Sequence, residues 1–208
     1  MPEKFVSRGF SGKRNLANNK DTQKRIPPGQ YLTDDFPVLS AGPTPRINLE
    51  DWMFSLSGLV MPATMWTWEE FLKLPSQEFK VDISCVTKWT KLDTVWKGVS
   101  IDTLLEHTQL DASAAFATAF CVGGYTTNVP LPDLLNGKAF IAYEFDGKPL
   151  APAHGGPARL VVPHLYFWKS AKWVRGLNFM DSDKPGFWET MGYHNRGDYW
   201  KEQRYHGD

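Results

Sequence analysis

The sequence predicts an α+β domain, and three observations carry that expectation. From residue 52 onward, short runs alternate apolar and polar side chains as half-buried strands do. Short helical stretches with first-turn capping signals lie between those runs. Gly- and Pro-containing turns punctuate the chain, with no internal repeat and no low-complexity linker. With 208 residues, 42% of them hydrophobic and nine of them Trp, the chain can bury one substantial core. We expect a single domain over residues 31–208, preceded by an irregular basic arm over residues 1–30.

The elements follow in order. Residues up to about 45 are rich in Asn, Lys, Pro and Gly and read as irregular, with Pro27-Pro28-Gly29 and Gly42-Pro43-Thr44-Pro45 as breaks. Residues 54–60 read as a strand. Thr67 and Glu70 have the spacing of a capping box, in which each side chain satisfies the other's backbone N–H, so a short helix is expected over 68–73, stopped by Pro75. Phe79, Val81 and Ile83 alternate with polar residues and form a strand running into Cys85. Ser100 opens a second short helix carrying Leu104 and Leu105. Residues 115–122 form a buried strand, closed by a turn at Gly123-Gly124. Pro132 suits the first turn of a helix that ends near Gly137. Ala139 to Phe145 is a strand, and Asp146-Gly147 is a tight-hairpin signal. Arg159–Val162 and Trp173–Phe179 complete the strands.

Composition excludes several classes. Lys plus Arg and Asp plus Glu are 23 each, so no net field favours nucleic acid or an anionic membrane. Residues 1–28 are locally basic, with Lys4, Arg8, Lys13, Arg14, Lys20, Lys24 and Arg25 against Glu3 and Asp21. That arm is expected to be solvated and to lie over the domain; an interaction module gripping RNA or an acidic partner is the rival. No apolar run approaches the ~20 residues of a membrane span, and no secretory signal is present, so the expected compartment is the cytoplasm. Cys85 and Cys121 are then free thiols rather than a disulfide.

Three places hold candidate chemistry. Cys85 ends an amphipathic strand, and nearby Lys88 favours the thiolate, the form that attacks or binds metal; simple packing of a buried Cys is the alternative. In His154-Gly155-Gly156-Pro157-Ala158-Arg159, two glycines allow close approach of a ligand, and His154 with Arg159 can hold an anion. An ordinary glycine loop accounts for the same residues. Ser170-Ala171-Lys172 offers a hydroxyl, backbone N–H groups and an ammonium to a phosphate, or merely a surface lysine. Phosphate-loop, dinucleotide, nucleophile-elbow and zinc spacings are missing, and the adjacent carboxylates face different ways. The aromatic tail around Phe187-Trp188 and Tyr199-Trp200 is expected to pack on the domain, with base stacking as the alternative.

Taken in order, these pieces resemble the molybdopterin-binding domain of the sulfite oxidase family, and most closely its short prokaryotic members. The resemblance is carried over about residues 35–200 by five motifs: Asp82–Trp89, Gly124–Leu131, Ala142–Leu150, His154–Pro163 and Ser170–Val174. It implies an α+β fold of mixed sheets, short helices and long irregular segments. It implies a molybdenum–molybdopterin cofactor, with or without a nucleotide extension, whose metal is ligated by Cys85. It implies that His154 and Arg159 contact the pterin, that Ser170, Ala171 and Lys172 bind its terminal phosphate, that Cys121 lies near the cofactor, and that Tyr125 is the active-site tyrosine. The implied activity is two-electron oxygen-atom transfer on a small molecule, either oxoanion oxidation or S- or N-oxide reduction, with a separate redox protein as electron partner. A non-catalytic molybdopterin-binding or carrier protein is the alternative. Two departures limit the transfer. Sulfite oxidases proper carry arginines soon after the cysteine, where this chain has Lys88 and Lys91, so sulfite itself does not carry over. Their C-terminal dimerisation domain has no counterpart, which makes a monomer the expectation.

Overall fold

A computed structural model describes residues 20–208. The basic residues Lys4, Arg8, Lys13 and Arg14 lie outside the described residues. The described chain begins with a one-turn helix, α1 (Lys20–Lys24), after which Arg25 forks onto Asp82 and Asp93, at 2.6 and 3.0 Å. Strands β1 (Tyr31–Leu32), β2 (Met53–Gly58), β3 (Val60–Met61) and β4 (Thr64–Thr67) lead to helix α2 (Trp68–Lys73). Strands β5 (Gln77–Ser84) and β6 (Trp89–Ser100) form a hairpin and precede helix α3 (Ile101–Leu105). Then come β7 (Gln109–Leu110), β8 (Phe116–Cys121), β9 (Thr126–Pro130), β10 (Phe140–Phe145), β11 (Lys148–Pro149), β12 (Arg159–Val161), β13 (Val174–Met180) and α4 (Phe187–Thr190).

These strands make two mixed sheets and a small ribbon, with helices of at most six residues among the described residues. The five-stranded sheet runs β4-β2-β13-β8-β9, with β13 parallel to β2 and antiparallel to β8. The six-stranded sheet is built around β6, which pairs with β5 on one edge and with β1 and then β10 on the other; β10 also pairs with β11 and β12. Strand β10 explains how the layers stack. Ile141 and Tyr143 face the main core shared with Phe54, Leu56, Ala119 and Leu177 of the other sheet. Phe140 and Ala142 point the opposite way, into a second core with Ile83, Trp89, Trp96 and Cys85. The six-stranded sheet is therefore buried on both faces, and Cys85 belongs to the core away from its partner sheet. A third cluster of Tyr166, Trp168 and Tyr199 docks the C-terminal segment.

The caps form as their spacing predicts. Thr67 Oγ1 accepts from the Glu70 N–H at 3.3 Å while Glu70 Oε2 accepts from the Thr67 N–H at 2.9 Å. Ser100 Oγ accepts from the Thr103 N–H at 3.0 Å at the start of α3. Asp146 and Gly147 both take positive φ, at 49° and 71°, and turn β10 into β11. The helix expected from Pro132 is a correction: only a 3-10 turn over Leu131–Asp133 forms. Asn136 and Gly137 adopt left-handed backbone, and both of their N–H groups donate to the Asp102 carboxylate, so the chain is held as a turn. The 54–60 strand is also split, because Gly58 at φ 81° breaks β2 from β3. No helix among the described residues is long and apolar enough to cross a membrane.

Candidate functional site

Cys85 sits in the four-residue turn between β5 and β6. Its N–H donates to Trp89 O at 2.9 Å, and Lys88, at φ 75°, donates its N–H to Cys85 O at 3.0 Å. The turn folds its donors toward the sulfur: Thr87 Oγ1 lies 3.2 Å from Cys85 Sγ, and the Val86 and Thr87 amides act on it in the same sense. Burial pushes the Cys85 thiol up, and these donors, with the charge of Arg159, pull it back toward the thiolate. The expectation for Lys88 is thus corrected. That side chain is exposed on the outside of the turn, and the cation that acts on Cys85 comes from β12.

Beside this turn lies a cavity of about 490 Å³. Tyr125, Arg159, Ser170, Ala171 and Lys172 all line it, although they come from three separate stretches of sequence. Cys85, His154 and Cys121 stand outside its lining. Cys85 belongs to the core cluster against which Phe167, a residue of the cavity lining, packs, and it acts electrostatically on Arg159 and Lys172. The His154 ring stacks on Phe36 at 3.9 Å, and its carbonyl accepts from Arg159 Nη1 at 2.8 Å. Cys121 ends β8 on the face turned to the main core, where it acts electrostatically on Arg159 and Tyr125 of the cavity wall and burial pushes its thiol up to about 12.

The charge balance of the cavity is one-sided. Arg159 is 1% exposed, lies 4.1 Å from the Phe167 ring centre, and donates through Nη2 to Ser170 O at 2.5 Å. Burial pulls it down to about 9, which leaves it cationic at neutral pH. Lys172 donates to Leu39 O at 2.8 Å and Ala153 O at 2.7 Å, and burial together with Arg159 lowers it to about 8. No carboxylate pairs with either cation among the described residues, and Arg159 Nε and His154 Nδ1 are buried without partners. Burial, Arg159 and Lys172 all lower His154, so it is neutral there. Buried cations are usually paired, because an uncompensated charge out of water is costly. Arg159 and Lys172 thus give the cavity wall a positive charge that no carboxylate among the described residues offsets.

Other side chains of the wall carry hydrogen bonds of their own. Ser170 Oγ already accepts from the Val162 N–H at 2.9 Å, so only its hydroxyl proton is left for a phosphate. The Tyr125 hydroxyl donates to Trp168 O at 2.7 Å, and burial pushes it well above its ordinary range, so it remains a phenol. The Cβ sides of the two glycines in the 154–159 loop are turned against the protein. A Cβ on Gly155 would stand 3.0 Å from Lys172 Cβ, and one on Gly156 only 2.0 Å from Leu150 O, so both positions are filled by the protein itself. Open glycine faces occur instead at Gly123 and Gly124, on the cavity wall at φ 85° and 81°, with nothing within 4 Å of either missing Cβ. The Gly-Gly pair was visible in the sequence, but as a turn. The aromatic tail packs on the domain as expected, with Tyr199 and Trp188 against Tyr166 and Trp168, and Phe187 and Trp188 also wall the cavity, as do residues 39–43 of the irregular segment.

Residues 41–188 match the family model described as the oxidoreductase molybdopterin binding domain. The chain is 43% identical over 189 residues to the uncharacterized oxidoreductase YuiH of Bacillus subtilis, covering 90% of this chain and 96% of that protein. It is 26% identical to a putative protein-methionine-sulfoxide reductase subunit, YedZ1, of Azospira oryzae, covering 71% of this chain and 56% of that one. It is 27% identical to an inducible NADH nitrate reductase of Glycine max, of which it spans only 19%. Among solved structures, the sulfane dehydrogenase SoxCD of Paracoccus pantotrophus shares the fold, with a TM-score of 0.61 at 22% identity over 67% of this chain and 40% of that one. The cation-lined cavity and the family match agree, and this chain belongs to the molybdopterin-binding oxidoreductases of the sulfite oxidase family.

Proposed function

We propose that the cavity holds the molybdopterin cofactor with Cys85 as the protein ligand to molybdenum, and that the chain catalyses two-electron oxygen-atom transfer on a small substrate. The observation that carries this reading is the pair of carboxylate-free cations, Arg159 and Lys172, facing a cavity beside a sulfur toward which a hydroxyl and two amides are turned. The bound cofactor supplies the redox couple and the site at which the oxygen atom is exchanged. Cys85 provides a soft sulfur donor suited to such a metal, and its turn stabilises the thiolate. Arg159 on the cavity wall, with His154 whose carbonyl accepts from its Nη1 at 2.8 Å, is assigned to the pterin. Lys172, the amides around Ala171 and the Ser170 hydroxyl receive the terminal phosphate. The open faces of Gly123 and Gly124 let the cofactor lie against backbone. Tyr125, kept protonated and bonded to Trp168 O at 2.7 Å, is assigned to the active-site wall. The names of the relatives, a methionine-sulfoxide reductase subunit and a nitrate reductase, support S- or N-oxide reduction. Lys88 is exposed and Lys91 donates to Asp34 O at 2.7 Å, so neither stands in for the substrate-binding arginines. A separate redox protein completes the electron circuit.

Loaded protein assayed with sulfite, sulfoxides and N-oxides, using artificial electron donors and acceptors, tests this reading. Turnover of at least one supports it, whereas bound molybdenum without turnover of any favours a carrier. A pH dependence follows as well. Lys172 is charged below about 8, and an anion that needs that charge weakens as the pH rises through this value, by up to about tenfold per unit. Pterin retained after desalting is expected to fall between pH 7 and pH 9.5, and Lys172→Met is expected to retain less at pH 7 and to show little further change.

A further inference from the structure

We propose that residues 38–45 form a strap that opens to admit the cofactor, and that the bond from Lys172 Nζ to the Leu39 carbonyl is its latch. This inference rests on the cavity being the cofactor site. The strap lies between two firm anchors. Phe36 packs among Trp89, Trp96, Phe145 and Phe167 at ring separations of 5.0 to 6.3 Å, and stacks on His154. Ile47 packs against the main core. Between them, Leu39 to Pro43 and Pro45 form a wall of the cavity, yet residues 38–44 are all exposed. Among the described residues, no backbone N–H in residues 38–45 donates a hydrogen bond, and the one bond that reaches the segment from the body of the domain is Lys172 Nζ to Leu39 O, at 2.8 Å. A segment with few buried contacts and no backbone ladder belongs to the low-stability end of a fold and opens locally.

The latch residue links opening to loading. Lys172 has three donors; two are engaged, by Leu39 O and Ala153 O, and the third is left for a ligand. An anion taking that donor fixes the ammonium, and the fixed ammonium holds the Leu39 carbonyl. The strap therefore opens readily in the cofactor-free protein and stays shut once the cofactor is in place.

Limited proteolysis tests both halves, read as the rate of cleavage within residues 38–45. In cofactor-free protein, Lys172→Met is expected to be cut about tenfold faster than the native chain, the effect of losing one charge-assisted hydrogen bond. Equal rates would overturn the latch. Native protein loaded with cofactor is expected to be cut at least about tenfold more slowly than native cofactor-free protein, and equal rates would overturn the gate. Should Lys172→Met not fold, Lys172→Gln, which keeps a polar amide, carries the same comparison. Molybdenum content measured on the same samples separates the two claims. A chain that takes up no metal refutes the cofactor reading, while the cofactor-free comparison still decides the latch.

Discussion

Replacing Cys85 by serine is expected to lower oxygen-atom transfer by roughly a thousandfold or more, because losing a metal ligand exceeds the 10–100-fold effects of changing the groups around one. Serine nearly matches cysteine in size, and the Thr87 hydroxyl and the Val86 and Thr87 amides can satisfy its oxygen as they do the sulfur. The substitution should therefore change stability by no more than about 1 kcal/mol, and denaturant melts of the two proteins should nearly superimpose. The hard oxygen is a poor substitute for a soft sulfur donor. Activity and stability are expected to separate at this position. A Cys85→Ser protein that kept native activity would remove the residue from the centre.

The second large effect concerns stability. Lys169 and Glu189 form an ion pair at 2.6 Å with both side chains fully buried. The same Glu189 Oε1 accepts from Thr127 Oγ1 and Trp168 Nε1, each at 3.0 Å, and Lys169 also donates to Asn128 O at 2.8 Å. Burial pulls Lys169 down, and the Glu189 charge opposes it. The pair binds α4 to β9 and to the 167–169 turn, and so fixes Trp168, Phe187 and Trp188 on the cavity wall. Glu189→Ala leaves a buried, unpaired ammonium and is expected to destabilise the fold by about 3–5 kcal/mol. The double change Lys169→Met with Glu189→Leu removes both charges and should be less destabilised than Glu189→Ala, although Thr127 and Trp168 lose their acceptor. Urea unfolding of the three proteins checks this ordering. A Glu189→Ala protein as stable as the native chain would show that the pair contributes nothing.

Local signals were readable in the sequence, and long-range ones were not. The caps at Thr67 and Ser100 and the Asp146-Gly147 hairpin depend on residues within a few positions of one another, so spacing alone predicts them. Strand β6, the longest, escaped the pattern. Asp93 takes φ 54° inside it, the register with β5 shifts nearby, and the alternation of side chains is broken. Pro132 suggested a helix because a distant carboxylate, that of Asp102, could not be foreseen as the group that holds the turn. At the site, order along the chain identified Arg159, Ser170, Ala171, Lys172 and Tyr125, which the fold gathers around one cavity. Composition could not show that Arg159 rather than Lys88 acts on Cys85, that the glycines facing open space are Gly123 and Gly124, or that residues 39–43 return to close the cavity. Each of these depends on which strands become neighbours.

The most direct test of the central claim is the molybdenum-to-protein ratio, measured by elemental mass spectrometry on protein purified from a host that makes molybdopterin, with Cys85→Ser prepared in parallel. The account predicts near-stoichiometric molybdenum in the native chain and a clearly lower content in the variant. A well-folded native chain without molybdenum, or a variant that holds as much of it as the native chain, would contradict it.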